Sequence, residues 1–154
     1  MKRGRKATAT LILLLVGIVW AAPARVQASA PAELWQRMKV TAQSYLGRPY
    51  VWGTTGLKSF DCSGYVWRVL FENGIFMKRT TTRKLYMCLP KVSGSRERSS
   101  GNIVFFNSLK HCGIVNDPAS FYHAQVSVGT NLSPFNSFWL DRVTGYRAMP
   151  VSGK

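Results

Sequence analysis

The chain of 154 residues carries 21 Lys and Arg against 6 Asp and Glu, and its formal charge is +15. This length suits a single domain with one core rather than a multidomain protein. The charge favours anionic partners such as nucleic acids, acidic lipids or cell-envelope polymers. However, the basic residues are spread along the chain and form no stripe interleaved with aromatic residues, so we do not predict nucleic-acid binding.

The first thirty residues follow the pattern of a secretory signal peptide. A basic head at residues 2–6 precedes an apolar run at 11–20 and a small-residue end, Ala28-Ser29-Ala30. The apolar run is shorter than the roughly 20 residues needed to span a bilayer. We therefore expect cleavage after Ala30, no membrane span in the mature protein, and a periplasmic or extracellular location. No Cys follows that site, so a lipid anchor is not indicated.

Two helices are predicted in the first half of the mature chain. Apolar residues recur at helical spacing through 31–46, and Gly47 and Pro49 end that pattern. A loop with two glycines follows at 50–60, and a second helix is predicted at 62–72.

The second half of the mature chain is richer in strand-forming residues. Residues 75–92 are ambiguous, with a short helix indicated near 81–87, and 93–101 is a polar surface loop. Short β-prone runs then occur at 103–106, 111–116, 121–128 and 142–149. Helices followed by strands predict an α+β domain in which the N-terminal helices pack on a small antiparallel sheet.

Cys62 is the first candidate for chemistry. Three cysteines are an odd number, so an exported chain must leave at least one thiol free or pair it with another molecule. Cys62 stands where a Gly-rich loop meets a predicted helix, and the unpaired N–H groups of a first helical turn stabilise a thiolate. The chain contains two histidines, His111 and His123, which a loop between neighbouring strands could bring together as base and orienting residue.

Other interpretations of these residues are possible. A single Cys in a helix is most often a core residue, and a single His on a strand is most often structural. A metal site built from Cys62, His111, Cys112 and His123 is disfavoured because adjacent strand residues point to opposite faces. The spacings typical of zinc ligands are also missing, so we expect neither a metal nor a cofactor.

Five ordered segments resemble the NlpC/P60 family of cysteine peptidases and together cover about residues 33–149. They are Tyr45-Leu46-Gly47-Arg48-Pro49-Tyr50-Val51-Trp52-Gly53 with Phe60-Asp61-Cys62-Ser63-Gly64, then Arg79-Thr80-Thr81, Gly101-Asn102-Ile103-Val104-Phe105-Phe106, the two histidine strands His111-Cys112-Gly113-Ile114-Val115 and Phe121-Tyr122-His123-Ala124, and finally Trp139 with residues 142–147. The resemblance implies a papain-like core over residues 31–154 and a Cys-His-His triad. It also implies hydrolysis of the bond between γ-D-Glu and diaminopimelate or Lys in peptidoglycan stem peptides.

The same resemblance assigns roles to individual residues. Cys62 would be the nucleophile, His111 the base that moves the thiol proton to the leaving amine, and His123 the residue that orients His111. Tyr50 would help to hold the oxyanion together with the Cys62 backbone N–H.

Three further residues would contact the substrate. The resemblance implies that Asp61 binds a free N-terminal amine, although Asp61 is also a good helix N-cap, and the two roles are compatible. Ser63 and Thr80 would contact the substrate backbone or its carboxylates. The expected partner is therefore the peptidoglycan stem peptide, and we expect the protein to act as a monomer.

Several positions depart from the family pattern. Thr54 replaces the second glycine after Trp52, Asn102 replaces an aspartate, and Lys84 and Leu85 lie where a glutamine is common. Cys112 replaces a common valine and is expected to face away from the triad. A disulfide between Cys88 and Cys112 would leave Cys62 free, but sequence alone does not give their separation.

Two other classes of function stay open at this point. One is a secreted antibacterial effector with the same hydrolase or amidase chemistry directed at a competitor's wall. The other is a non-catalytic wall-binding protein that keeps the fold, which the presence of Cys62, His111 and His123 argues against.

Overall fold

The computed structural model describes residues 30–150, and the predicted signal peptide therefore lies outside the described residues except for Ala30. The elements in chain order are α1 (Ala30–Ser44), α2 (Cys62–Glu72), α3 (Thr82–Cys88), a 3-10 turn (Gly94–Arg96), β1 (Ile103–Phe106), β2 (His111–Asp117), β3 (Ser120–Gln125), β4 (Gly129–Pro134), α4 (Ser137–Leu140) and β5 (Val143–Arg147). Within this part of the chain, no helix combines the length and the apolar character needed to cross a bilayer.

The five strands form one antiparallel sheet in the order β4-β3-β2-β1-β5. Helix α2 packs on β2 and β3, and α1 packs on α2. Because strand side chains alternate between faces, β3 places Tyr122 and Ala124 in the core beneath the helices and Phe121 in a second cluster on the other face. The predicted α+β class, with N-terminal helices on a small antiparallel sheet, is confirmed.

Helix α2 has the bounds that the sequence predicts. The Asp61 side chain caps its first turn by accepting a hydrogen bond from the Gly64 N–H at 2.6 Å. Its buried face, which includes Tyr65, Val66 and Val69, packs into the main core. The nucleophile candidate is therefore the first residue of a helix that the hydrophobic core holds rigidly in place.

Strand β4 and helix α4 are absent from the sequence-based prediction, which joined residues 121–128 into one strand. In the structure β3 ends at Gln125, and the chain turns back so that β4 begins at Gly129. The sequence of β4, Gly-Thr-Asn-Leu-Ser-Pro, has little intrinsic strand preference. It forms a strand because all six of its residues pair with β3.

Gly129 allows the chain to turn back from β3 into β4, and its substitution tests this role. Its φ is +79°, and a Cβ there would lie 2.2 Å from the carbonyl oxygen of Arg48. We expect Gly129→Ala to lower the free energy of unfolding by at least about 2 kcal/mol, since the left-handed backbone alone costs about 1–2 kcal/mol per residue. Urea denaturation followed by circular dichroism measures this change. Gly56→Ala is the control, because a Cβ at Gly56 has no neighbour within 4 Å. Equal stability of the two variants would contradict the expectation.

Candidate active site

Cys62 lies where the 50–60 loop crosses the start of α2. The residue is 4% exposed. Two positions later, a Cβ on Gly64 would lie 2.2 Å from the carbonyl oxygen of Thr54. The loop backbone therefore passes directly over the first helical turn, and this close approach requires glycine in the Asp-Cys-Ser-Gly sequence.

The Asp61 carboxylate connects three segments around Cys62. Arg79 donates to both of its oxygens from Nη2, at 2.9 and 2.8 Å. The same carboxylate also accepts hydrogen bonds from the Gly53 N–H at 2.9 Å, the Ser63 hydroxyl at 2.9 Å and the Gly64 N–H. The predicted N-cap role of Asp61 is thus present, and its oxygens already accept five hydrogen bonds from four donor groups. Ser63 is likewise engaged, since its hydroxyl also accepts a hydrogen bond from Arg79 Nη1 at 3.1 Å.

The surroundings of the Cys62 thiol favour its ionised form. The Sγ atom lies 3.7 Å from Thr82 Oγ1, which can donate a hydrogen bond to a thiolate. A hydrogen bond from Cys112, with further contributions from His111 and Thr82, lowers the pKa of Cys62 from its ordinary value of 9.0 to about 4, against the opposing effect of burial. Cys62 is therefore a thiolate at neutral pH.

The position of Cys112 corrects one expectation. Cys112 was expected to face away from the triad, yet its Sγ lies 3.7 Å from the Thr82 hydroxyl that also contacts Cys62. Alternation along β2 does place Cys112 and His111 on opposite faces, but α2 packs on the face that Cys112 occupies. Burial raises the pKa of the Cys112 thiol well above its ordinary value, and the neighbouring Cys62 raises it further. Cys112 is consequently a neutral donor to the Cys62 thiolate.

His111 and His123 form a pair on the face of the sheet opposite to Cys112 and α2. His111 Nε2 lies 2.8 Å from His123 Nδ1, and His123 Nε2 lies 2.8 Å from the Ser133 hydroxyl. His111 is the first residue of β2, so its ring reaches Cys62 around the end of the strand. Burial, followed by the charge of His111, lowers the pKa of His123 to about 3. His123 is thus neutral at pH 7.

Trp139 of α4 holds both histidine rings. Its indole stacks on His111 with ring centroids 5.5 Å apart and meets His123 edge-on at 4.9 Å. The Asn136 side chain caps the helix by accepting a hydrogen bond from the Trp139 N–H at 3.2 Å. The aromatic packing restricts the rotation of both imidazoles.

Tyr50 is partly buried against the main core, close enough to Cys62 for the charge of the thiolate to affect its phenol. Burial, together with the neighbouring charges of Cys62 and Asp61, raises the pKa of its phenol to about 12. The hydroxyl therefore stays protonated at neutral pH and can act as a hydrogen-bond donor.

A cleft of about 580 Å³ opens at Cys62. Its lining residues are Trp52, Gly53, Asp61, Cys62, Ser63, Arg79, Thr81, Thr82, Arg83, Leu109 and Lys110. Trp52 stands 82% exposed at this cleft. The charges on the lining are mainly positive, since the carboxylate of Asp61 is paired with Arg79 and Arg83 and Lys110 are exposed to solvent.

The predicted contact residue Thr80 lies elsewhere. It lines a neighbouring cavity of about 310 Å³ together with Lys84 and Cys88, whereas Thr81 and Thr82 line the Cys62 cleft. Cys88 is exposed and Cys112 is buried, and both are free thiols. The structure therefore does not contain the disulfide that the sequence left open.

Sequence reasoning missed three features of the site. Thr82 is one residue beyond the recognised Arg-Thr-Thr element, so helical phase within α3 was the signal that could have found it. Trp139 was noted only as part of a closing segment. Ser133 lies on β4, whose composition gives no strand signal. Among the described residues, no group of three or more His, Cys, Asp or Glu side chains could hold a metal ion.

Comparison with known proteins identifies relatives for this arrangement. The chain is 36% identical over 109 residues to the probable peptidoglycan endopeptidase LytE of Bacillus subtilis, an alignment covering 68% of this chain and 31% of that protein. It is 38% identical over 87 residues to the probable endopeptidase p60 of Listeria seeligeri, covering 54% of this chain and 16% of that protein. The chain thus spans less than a third of the length of these two relatives.

Solved structures give the same result for the fold. A Staphylococcus aureus protein described as similar to a lipoprotein of the NLP/P60 family superposes with a TM-score of 0.66 at 29% identity, covering 76% of this chain and 41% of that one. The NlpC/p60 domain of the peptidoglycan hydrolase SagA superposes at 0.63 with 23% identity, covering 75% of this chain and 98% of that one, and so supports the fold alone. The model of the NlpC/P60 family matches residues 47–148. The chain therefore belongs to the NlpC/P60 family.

Proposed function

We propose that this protein is a cysteine endopeptidase that hydrolyses the peptide part of peptidoglycan. The observation that carries the proposal is a thiolate at the start of a helix, in a cleft, next to a coupled pair of histidines. A nucleophile, a base and an orienting group within mutual reach are the components of covalent acyl transfer. The relatives named as peptidoglycan endopeptidases and p60 support peptidoglycan as the substrate.

In the proposed reaction the Cys62 thiolate attacks the carbonyl carbon of the scissile amide. The resulting oxyanion lies at the N-terminus of α2, where the Cys62 N–H and the Tyr50 hydroxyl donate to it. His111, which holds the proton lost by the Cys62 thiol, gives that proton to the leaving amine, and the C–N bond breaks to leave a thioester on Cys62. His111 then takes a proton from water, which attacks the thioester and releases the second product.

The bond proposed for cleavage joins γ-D-Glu to diaminopimelate or Lys. The stem peptide carries a free α-carboxylate on D-Glu and, where the next residue is diaminopimelate, a second one on that residue. The exposed cations Arg83 and Lys110 on the cleft lining would attract them. Since Asp61 is occupied by Arg79 and the first turn of α2, we assign it to holding the cleft together, with amine binding as an additional role where a substrate presents a free amine.

Residues 1–30 are proposed to direct the chain out of the cytoplasm, where its substrate is found. A purely wall-binding function without catalysis is disfavoured, because such a protein has no need of a thiol with so low a pKa. Secretion against a competitor's wall would use the same chemistry and the same residues.

The activity is tested by incubating the purified protein with muropeptides and identifying the products by mass spectrometry. We expect fragments ending in L-Ala-γ-D-Glu from the wild type and none from Cys62→Ala. His111→Ala should lower the rate by about 10²–10⁴-fold, the usual contribution of a general acid or base. Cys88→Ala is the matched control, because Cys88 is an exposed thiol outside the cleft, and it should keep full activity. Equal product from wild type and Cys62→Ala would contradict the proposal.

The contribution of Cys112 to the thiolate has its own test. Cys112→Val removes the hydrogen bond that most lowers the pKa of Cys62, so this pKa should rise from about 4. The rate of Cys62 alkylation by iodoacetamide, followed by peptide mass spectrometry against pH, should then reach half its maximum at a higher pH than in the wild type. Cys88→Ser should leave the profile unchanged. An unaltered profile in Cys112→Val would show that Cys112 does not stabilise the thiolate.

The role of the positive lining is tested by Arg83→Gln. Loss of one exposed charge near the substrate carboxylates should raise KM several-fold at low salt with little effect on kcat, and the difference from wild type should shrink as ionic strength rises. Arg37→Gln on α1 is the control, since Arg37 is exposed and does not line the cleft. The same KM for Arg83→Gln and wild type at low salt would exclude a contribution of Arg83 to substrate binding.

A further inference from the structure

A chain of hydrogen bonds continues beyond His123 into β4, the edge strand that the sequence did not reveal. We propose that Ser133 and Asn131 are positioning residues that fix which nitrogen of each histidine carries the proton, and thereby leave His111 Nδ1 free to face Cys62. This inference rests on the proposed function of Cys62 and His111 for its importance to catalysis. Its structural part, the tautomer of each ring, can be measured without any assay of activity.

The hydrogen-bond network begins at Asn131, and the orientation of the Asn131 side-chain amide is fixed. Asn131 Nδ2 donates to the Gly129 carbonyl oxygen at 2.9 Å, and the opposite atom, Oδ1, accepts from the Ser133 hydroxyl at 2.8 Å. Reversing the amide would place an NH₂ group against Ser133 and two oxygens, Asn131 Oδ1 and Gly129 O, against each other. The hydrogen-bond network therefore assigns Oδ1 as an acceptor.

The Ser133 hydroxyl transmits this orientation to His123. A hydroxyl has one proton, and Ser133 gives it to Asn131, so towards His123 the oxygen can only accept. His123 Nε2, at 2.8 Å from that oxygen, must then carry the ring proton. Burial keeps the buried imidazole neutral by lowering its pKa to about 3, so His123 has a single ring proton and its Nδ1 is an acceptor.

The last step sets the tautomer of His111. His123 Nδ1 accepts at 2.8 Å from His111 Nε2, which must therefore be protonated. In a neutral His111 the other nitrogen, Nδ1, then has the free electron pair that a base requires. The opposite arrangement, with Ser133 donating to His123, would place the His111 proton on Nδ1 and leave a ring unable to accept a proton from the Cys62 side.

The register of the sheet makes this arrangement possible. Asn131 lies directly opposite His123 on β4, and Ser133 follows two residues later on the same face. Asn131 also raises the pKa of His123, as an acceptor facing its N–H would, although burial has the larger effect. The strand that the chain builds from Gly129 onwards thus supplies the polar side chains that end the network.

The tautomers are measured by NMR on purified protein with ¹⁵N-labelled histidine, and the two histidines of the chain make the spectrum simple to assign. Long-range ¹H–¹⁵N couplings distinguish rings protonated on Nε2 from rings protonated on Nδ1. We expect His123 to be protonated on Nε2 alone in the wild type. In Cys62→Ala, which removes the thiolate, we expect neutral His111 to be protonated on Nε2 as well. Protonation of His123 on Nδ1 would overturn the proposal, whether or not the protein cleaves muropeptides.

Variants of Ser133 test the consequence for catalysis. Ser133→Ala should shift the His123 ¹⁵N signals and lower kcat about ten- to hundredfold, as loss of a residue that orients a histidine commonly does, with KM within about twofold. Ser133→Thr, which keeps the hydroxyl, should retain the wild-type signals and most of kcat. Ser120→Ala is the matched control, because Ser120 accepts from Asn116 on the same sheet and does not contact either histidine. Unchanged His123 signals or unchanged kcat in Ser133→Ala would overturn the proposal.

Failure of the wild type to cleave muropeptides, with the expected tautomers present, would instead reject the proposed function.

Discussion

The site depends on the buried carboxylate of Asp61. It accepts hydrogen bonds from the first turn of α2, from the loop that precedes the helix, and from Arg79 Nη2, which donates to both carboxylate oxygens. A buried charge is costly unless it is paired and hydrogen-bonded, and here both conditions hold. The result is that the cleft wall, Cys62 and the segment leading into α3 have fixed relative positions.

The pKa of Cys62 results from two opposing effects, which are burial on one side and the hydrogen bonds and charge of neighbouring residues on the other. Burial alone would favour the neutral thiol, as it does for Cys112. The hydrogen bonds and charge around Cys62 outweigh this effect, and Cys112 contributes most among them. Two cysteines in similar surroundings therefore have opposite pKa shifts, because one is the acceptor and the other the donor of the same hydrogen bond. The cleft stabilises one thiolate, not two.

Much of this could be predicted from the sequence, because local signals and tertiary packing agree there. Helix α2 has a capping residue, an apolar face and a terminating Asn73-Gly74, so its bounds were predictable. Strand β4 has no such signal, since pairing with β3 alone makes it a strand, and Ser133 and Asn131 were missed with it. The position of Cys112 required knowledge of which face of the sheet α2 covers. Alternation along a strand gives two faces, but only tertiary packing determines which of them meets the nucleophile.

The central claim is that folding creates a thiolate at Cys62, and a direct titration of that thiolate is its sharpest test. The ultraviolet absorbance of thiolates is followed against pH in the wild type and in Cys62→Ala, and the difference between the two curves belongs to Cys62. The account predicts a midpoint near pH 4 in the folded protein, shifting towards the ordinary value of 9.0 on denaturation. A midpoint near 9 in the folded protein would show that the helix start, Cys112 and His111 do not activate this residue, and would contradict the account.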